Sequence, residues 1–309
     1  MFTRLLLPLD GTPESSLALS PARTLAAALG AKIVLLRVVP TGEARLSVLN
    51  SPEVDRALDD LEAIAAPLRS SAVQTELVVS QGDPADTIVA EVQSHGADLV
   101  VMSTHAPNGR VRLAPGSVAE RVVAHSRVPV MLIGRTAQDQ QLERLKIILV
   151  PVDGSAGSLV ALGTAARLAR AARAAVVVLR VVVPLPLWIY DPTLGLNTGP
   201  LIDPRWDEDR RANAESYVRQ VAQRLVDSGI EAGADAILGE VAPAIAEYAD
   251  QQAVDLIVMS THARFGPTKA LLGSVADQVV DTTRLPVLLL RRESVGMPTS
   301  AISAPEAVH

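Results

Sequence analysis

A chain of 309 residues that is 49% hydrophobic can bury a large core and is expected to form two domains of ordinary size. Its formal charge of −6 falls evenly on residues 1–140 and on the remainder, so neither half carries the basic excess of a nucleic-acid binder. Cysteine is absent, which excludes disulfides, thiolate metal sites and cysteine nucleophiles, and the five histidines show no ligand spacing.

The opening "MFTRLLLPLDG" has an apolar run broken by Pro8 and reads as a first strand over 4–9, not as a signal segment. A helix over 14–29 follows, then a strand over 32–39, a helix over 52–71, a strand over 75–80 and a helix over 84–95. The unit closes with a strand over 99–103, a helix over 117–125 and a strand over 130–133. The strands are short, β-branched and nearly unbroken in their apolar character, as strands buried on both faces of a parallel sheet should be. The most apolar segment, "AAVVVLRVVVPLPLW", is cut by Arg180 and two prolines well short of the ~20 residues a membrane span needs. A soluble cytoplasmic protein with no membrane partner is therefore expected.

The same unit then repeats. "LLPLDGTPESS" at Leu6 matches "LVPVDGSAGSL" at Leu149, and "KIVLLRVV" matches "AVVVLRVV", both at an offset of 143. Farther along, "ADLVVMSTHA" matches "VDLIVMSTHA" and "GSVAERVV" matches "GSVADQVV" at an offset of 157, so the second copy holds 14 extra residues between its second and third strands. The expected architecture is α/β, two repeated open five-stranded parallel-sheet domains of the doubly wound type, over 1–136 and 144–292. Ligands in such sheets sit beyond the carboxyl ends of the strands where the strand order reverses, here after strands one and four of each copy.

Asp10-Gly11 and Asp153-Gly154 end the first strand of each copy. An Asp there either caps the following helix, the better founded role for the residue taken alone, or accepts a hydrogen bond from a ligand hydroxyl. After strand four comes "STHA", nine residues, and then Gly116-Ser117 or Gly273-Ser274 opening a helix. A helix start offers free N–H groups and positive dipole potential, and a glycine allows close approach, which together suit a phosphate. An ordinary Ser-capped helix is the alternative for an isolated Gly-Ser. There is no P-loop, no dinucleotide fingerprint after strand one and no Gly-x-Ser-x-Gly elbow.

On the strand-one "LDG" and "VDG", the "GDPA" at Gly82, the "DLVVMSTH" strand and the "GSVA" helix start, the chain resembles a tandem universal stress protein, over roughly residues 1–135 and 144–292. The resemblance implies an adenine-nucleotide α-hydrolase-like fold and a nucleotide-dependent switch in stress response, with ATP or AMP as ligand, with or without Mg2+. It would place Asp10 or Asp153 near the ribose, the backbone of Val38 or Val181 near the adenine, and the Gly116-Ser117 or Gly273-Ser274 N–H groups on the phosphates. His105 and His262 are within reach of a phosphate in that arrangement, or are loop residues turned to solvent. The ATP-binding branch of the family has Gly-x-x-Gly ahead of its Gly-Ser; here both copies substitute Ser and Ala, as Ser103-x-x-Ala106 and Ser260-x-x-Ala263. A Cβ at those positions opposes close backbone approach, which leaves open a second reading, a dimerising scaffold that binds no nucleotide. Copy two matches the family loop better, with Arg264, Gly266 and Lys269, where copy one has Pro107, Gly109 and Arg112. A slow ATPase needs a water-activating base and a metal site that the residues do not supply; no catalytic residue is assigned.

The insertion, about 184–206, holds five prolines with Trp188, Tyr190 and Trp206, too Pro-rich for a helix and too aromatic for a plain linker. It reads equally as a flap over the second site or partner surface and as a loop pinned to its own domain. The linker "RTAQDQQLERLK" is short and charged, so the halves should lie together; the resemblance implies an internal pseudo-dimer through the last strands, 130–133 and 287–290, with homodimerisation and an unidentified protein partner as further expectations. The tail, 293–309, looks disordered.

Overall fold

The computed structural model describes residues 2–39, 52–104, 117–134, 142–184, 187–191, 196–201, 204–261 and 273–291. In the first half β1 (Arg4–Pro8), β2 (Lys32–Val39), β3 (Thr75–Gln81), β4 (Leu99–Ser103) and β5 (Val130–Ile133) alternate with α1 (Leu19–Leu29), α2 (Pro52–Ser70), α3 (Pro84–Ser94) and α4 (Val118–His125). A 3-10 turn at Ser15–Ala18 precedes α1. The second half repeats this with β6 (Ile147–Pro151), α5 (Val160–Ala172), β7 (Ala175–Val182), α6 (Pro204–Asp227), β10 (Ala232–Leu238), α7 (Val241–Gln251), β11 (Leu256–Thr261), α8 (Ser274–Thr282) and β12 (Val287–Arg291).

All ten of these strands belong to one sheet, in the order β10-β7-β6-β11-β12-β5-β4-β1-β2-β3. Pairing is parallel within each half and antiparallel only where the halves meet, with Val287 opposite Leu132, Leu288 opposite Met131 and Leu289 opposite Val130. The halves thus join through their last strands, as the resemblance implies. Strand period two sorts the core into two layers. Leu5, Leu7, Ile33 and Leu35 pack with α1, α2, α5 and α6, while Leu6, Val34 and Leu36 pack with α3, α4, α7 and α8. Each layer runs across both repeats, so the molecule has a continuous core on each side of the sheet. The end of the linker docks on α1, where Leu142 O accepts from Thr24 Oγ1 and Leu145 is buried.

Among its described residues the insertion has regular structure. It contains an antiparallel hairpin, β8 (Leu187–Asp191) with β9 (Leu196–Leu201), and its last residues open α6. Pro204 is the first residue of that helix, where its missing N–H costs nothing. The expectation of no helix fails there. The Arg210 guanidinium reaches back to Val183 O at 2.9 Å, tying the start of α6 to the end of β7.

At the far edge of the sheet, Lys32 Nζ donates to Glu76 Oε2 at 2.6 Å, and His95 Nδ1 lies 2.9 Å from Glu76 Oε1. The Lys32 ammonium, hydrogen-bonded to Glu76, holds that carboxyl below its ordinary 4.5 against the opposing effect of partial burial. A carboxylate held low in the folded state adds stability above its unfolded value, and this is lost as pH falls below 4.5 through the folded value. Glu76→Gln is therefore expected to lower the urea midpoint near neutrality and to converge on wild type in acid; a constant gap at every pH would exclude this charge pairing.

Candidate functional site

In each half the first strand lies between the second and the fourth, so the strand order reverses between β1 and β4 and between β6 and β11. At the carboxyl ends of those strands the chain places the two Asp-Gly turns. Asp10 Oδ1 accepts from Thr12 N–H at 2.9 Å and from Thr12 Oγ1 at 2.6 Å. Asp153 Oδ1 accepts from Ser155 N–H at 2.8 Å. Neither aspartate caps a helix, which corrects the expectation above: the residues preceding the first helical segments are Glu14 and Ala18 in copy one and Leu159 in copy two. Each carboxylate closes a local turn instead, because several residues separate it from the first helical N–H.

Gly11 and Gly154 have φ of +88° and +87°, a conformation that glycine adopts without strain. A Cβ on Gly11 would also lie 2.9 Å from Arg37 Nη1. Gly11→Ala is expected to cost about 1–2 kcal/mol, chiefly from the backbone conformation. Chemical denaturation checks it, and an unchanged midpoint would mean that the turn relaxes.

Val38 and Val181 are half-buried near the ends of β2 and β7, opposite Ser80 and Ile237, with their side chains in the layer of α3 and α7. Ser103 is buried as the last residue of β4, and Ser260 is half-buried in β11. The two helix starts differ. Ser117 is the N-cap of α4, its Oγ accepting from Glu120 N–H at 3.2 Å. In copy two the N-cap is Gly273, at φ +85° and ψ 137°, and Ser274 is already the first helical residue, so the cap residue itself has no side chain to bond the first turn of α8. The remaining expected site residues, His105, Ala106, Gly116, His262 and Ala263, lie outside the described residues, as do Arg264, Gly266, Lys269, their copy-one counterparts and the tail.

The family model for the universal stress protein family matches residues 1–134 and again 144–291. The chain belongs to the universal stress protein family. It is 25% identical over 303 residues to a universal stress protein of Mycolicibacterium smegmatis, covering 93% of this chain and 96% of that one. It is also 29% identical over 150 residues to a universal stress protein of Methanocaldococcus jannaschii, covering 48% of this chain and 82% of the relative. Among solved structures, a universal stress protein from Archaeoglobus fulgidus superposes with a TM-score of 0.68 at 19% identity, over 94% of this chain and 96% of that chain, a likeness of fold.

Beside the Asp-Gly turns this universal stress protein carries Arg37 and Arg180, which belong to none of the motifs above. Each interrupts an apolar run, Ile33–Val39 or Ala175–Val182, at the same repeat position, and that repetition was the available signal. The Arg37 side chain is 12% exposed, and its Nη1 lies 3.7 Å from Asp60 Oδ2 of α2. The Arg180 guanidinium instead lies over the Tyr217 ring of α6, 5.3 Å from its centroid.

A cleft of about 400 Å3 opens at the opposite ends of the strands, between α1, the end of α5 and the linker, lined by Arg23, Thr24, Ser71 and Arg144 among others. It is remote from the Asp-Gly turns. Among the described residues no group of three or more His, Asp or Glu is placed to hold a metal ion, and no helix is long and apolar enough to cross a membrane.

Proposed function

We propose that the chain binds an adenine nucleotide, ATP or AMP, at the carboxyl ends of its strands, that the second repeat supplies the principal site, and that the ligand acts as a switch in stress response. The carrying observation is the start of α8. Gly273 at positive φ brings bare backbone to the helix N-terminus, with no side chain of its own to take the first N–H groups. A phosphate there gains both hydrogen bonds and dipole potential. The Asp153–Gly154 turn and the end of β7 at Val181 lie at the same edge of the sheet, suited to the ribose and base.

A second reading, the scaffold, is favoured for the first repeat by its helix start, where the Ser117 hydroxyl already takes the Glu120 N–H. The seam of β5 with β12 uses both repeats regardless of ligand. In this reading the first half serves chiefly as the second half's partner. The switch works through binding of the nucleotide rather than its turnover. Titration calorimetry of ATP and AMP on the full chain tests it, with binding in the micromolar range expected; no heat and no thermal stabilisation at millimolar nucleotide would leave the scaffold alone.

A further inference from the structure

The cleft between α1, the end of α5 and the linker is open in one repeat only, and the repeat alignment gives the reason. At the repeat offsets Ala27 of α1 falls on Arg170 of α5, and Ser71 falls on Ser228. In copy two Arg170 Nη2 donates to Ser228 O at 2.9 Å, so the arginine spans the gap between the helix and the residues leading into the edge strand. In copy one the methyl group of Ala27 leaves that gap open, and Ala27 and Ser71 both line the cleft of about 400 Å3. A recess at Phe2 and Arg167, the counterparts of Leu145 and Thr24, holds only about 170 Å3. The linker enters beside Ser20 and Thr24, whose hydroxyls donate to Leu142 O, and then lines the cleft with Glu143, Arg144 and Leu145. Val73, Leu145, Ala28, Ala171 and Ala172 supply an apolar lining, and Arg23 and Arg144 supply two guanidinium groups. Among the described residues neither arginine takes part in a hydrogen bond or ion pair, and Glu143 is the one carboxylate on the lining. Copy two has Ala166 where copy one has Arg23.

We propose that this cleft is a binding site for a small amphipathic carboxylate, its apolar body seated against Val73, Leu145 and the alanines and its single anionic head met by Arg23 and Arg144. Small-molecule sites run from about 300 to 1,000 Å3, and this cleft lies within that range. Guanidinium groups take a carboxylate in a planar two-point contact and are weakly hydrated, so they lose little by making it. Two arginines and one glutamate leave the lining one net positive charge, which suits a monoanion and disfavours a cation. The lining comes from α1 of the first repeat, α5 of the second and the linker, so an occupant bridges the repeats at a place other than the β5–β12 seam. None of the residues assigned to the nucleotide takes part.

Titration calorimetry of octanoate on the full chain, without nucleotide, tests the site, with acetate as a head-only control and octan-1-ol as a tail-only control. Octanoate is expected to bind once per chain at about 0.1–1 mM, roughly fivefold or more tighter than octan-1-ol, with no heat from acetate. Arg23→Gln and Arg144→Gln combined should weaken octanoate about tenfold and leave octan-1-ol within about twofold. Ala27→Arg restores the copy-two residue and should abolish octanoate binding. The added charge alone would strengthen an anion, so a loss there reports closure of the cleft. Ala27 is exposed on α1, a position where arginine suits a helix. No octanoate heat on the wild type at about 5 mM, octan-1-ol as tight as octanoate, or octanoate binding unchanged in either variant would each overturn the proposal. These outcomes leave nucleotide binding untouched, since no nucleotide is present. Far-ultraviolet circular dichroism and urea midpoints show that each variant is folded, and should the double variant not fold, Ala27→Arg and the comparison with octan-1-ol decide.

Discussion

Replacing Leu132 by alanine should lower the stability of the whole chain by about 2–5 kcal/mol, seen as one unfolding transition moved to lower urea. Leu132 is fully buried in β5, opposite Val287 of β12, in the antiparallel register that joins the halves. Its side chain belongs to the layer that includes Ala119, Val122 and Val123 of α4 and Val279 and Val280 of α8. Truncation removes buried methyl groups and leaves a void that rigid strands on either side cannot close. The loss therefore falls on both repeats at once. Leu132→Ile conserves volume and should cost less than about 1.5 kcal/mol. Leu58, 39% exposed on α2, provides the control, since its replacement by alanine should fall within about 0.5 kcal/mol of wild type. If Leu132→Ala split the curve and moved only one part, the seam would not couple the halves, and the continuous core would be two cores in contact.

The strands were legible because nothing competes with their pattern. β2 (Lys32–Val39) and β4 (Leu99–Ser103) have the expected bounds, each an apolar β-branched run with polar or glycine residues close to both ends. The hairpin β8–β9 was not legible. Pro200 stands inside β9 and the register shifts between Trp188 and Tyr190, so neither strand shows clean alternation. At the site, the Asp-Gly position was readable and the duty of the aspartate was not. A carboxylate serves a turn and a helix cap with the same hydrogen bond, and the choice depends on where helical geometry begins, five to nine residues downstream. The Arg37–Asp60 and Arg180–Tyr217 pairs join a strand to a helix across the sheet face, a contact no local pattern encodes. What the sequence did offer was the alignment of the repeats, which sets Asp60 against Tyr217 without saying that either touches an arginine.

Gly273→Glu should abolish the second nucleotide site, weakening it by about 100-fold or more and removing one site from the calorimetric stoichiometry. Two effects act together. The new residue must hold φ near +85°, a conformation that costs an L side chain about 1–2 kcal/mol. Its carboxylate also sits at the N-terminus of α8, where the helix dipole favours an anion and the first N–H groups can donate hydrogen bonds to it. The side chain thus occupies the cradle with its own negative charge and repels a phosphate that approaches. Each charge-assisted hydrogen bond forgone is worth about 1.5–3 kcal/mol, so losing one or two accounts for the expected factor. Gly273→Ala separates the contributions, since it carries the backbone strain without the charge and should weaken ATP by less than about tenfold. Because the added carboxylate suits the helix end, Gly273→Glu should lose no more thermal stability than Gly273→Ala in the absence of ligand. ATP affinity that is equal in wild type and Gly273→Glu would place the phosphates elsewhere and remove the start of α8 from the site.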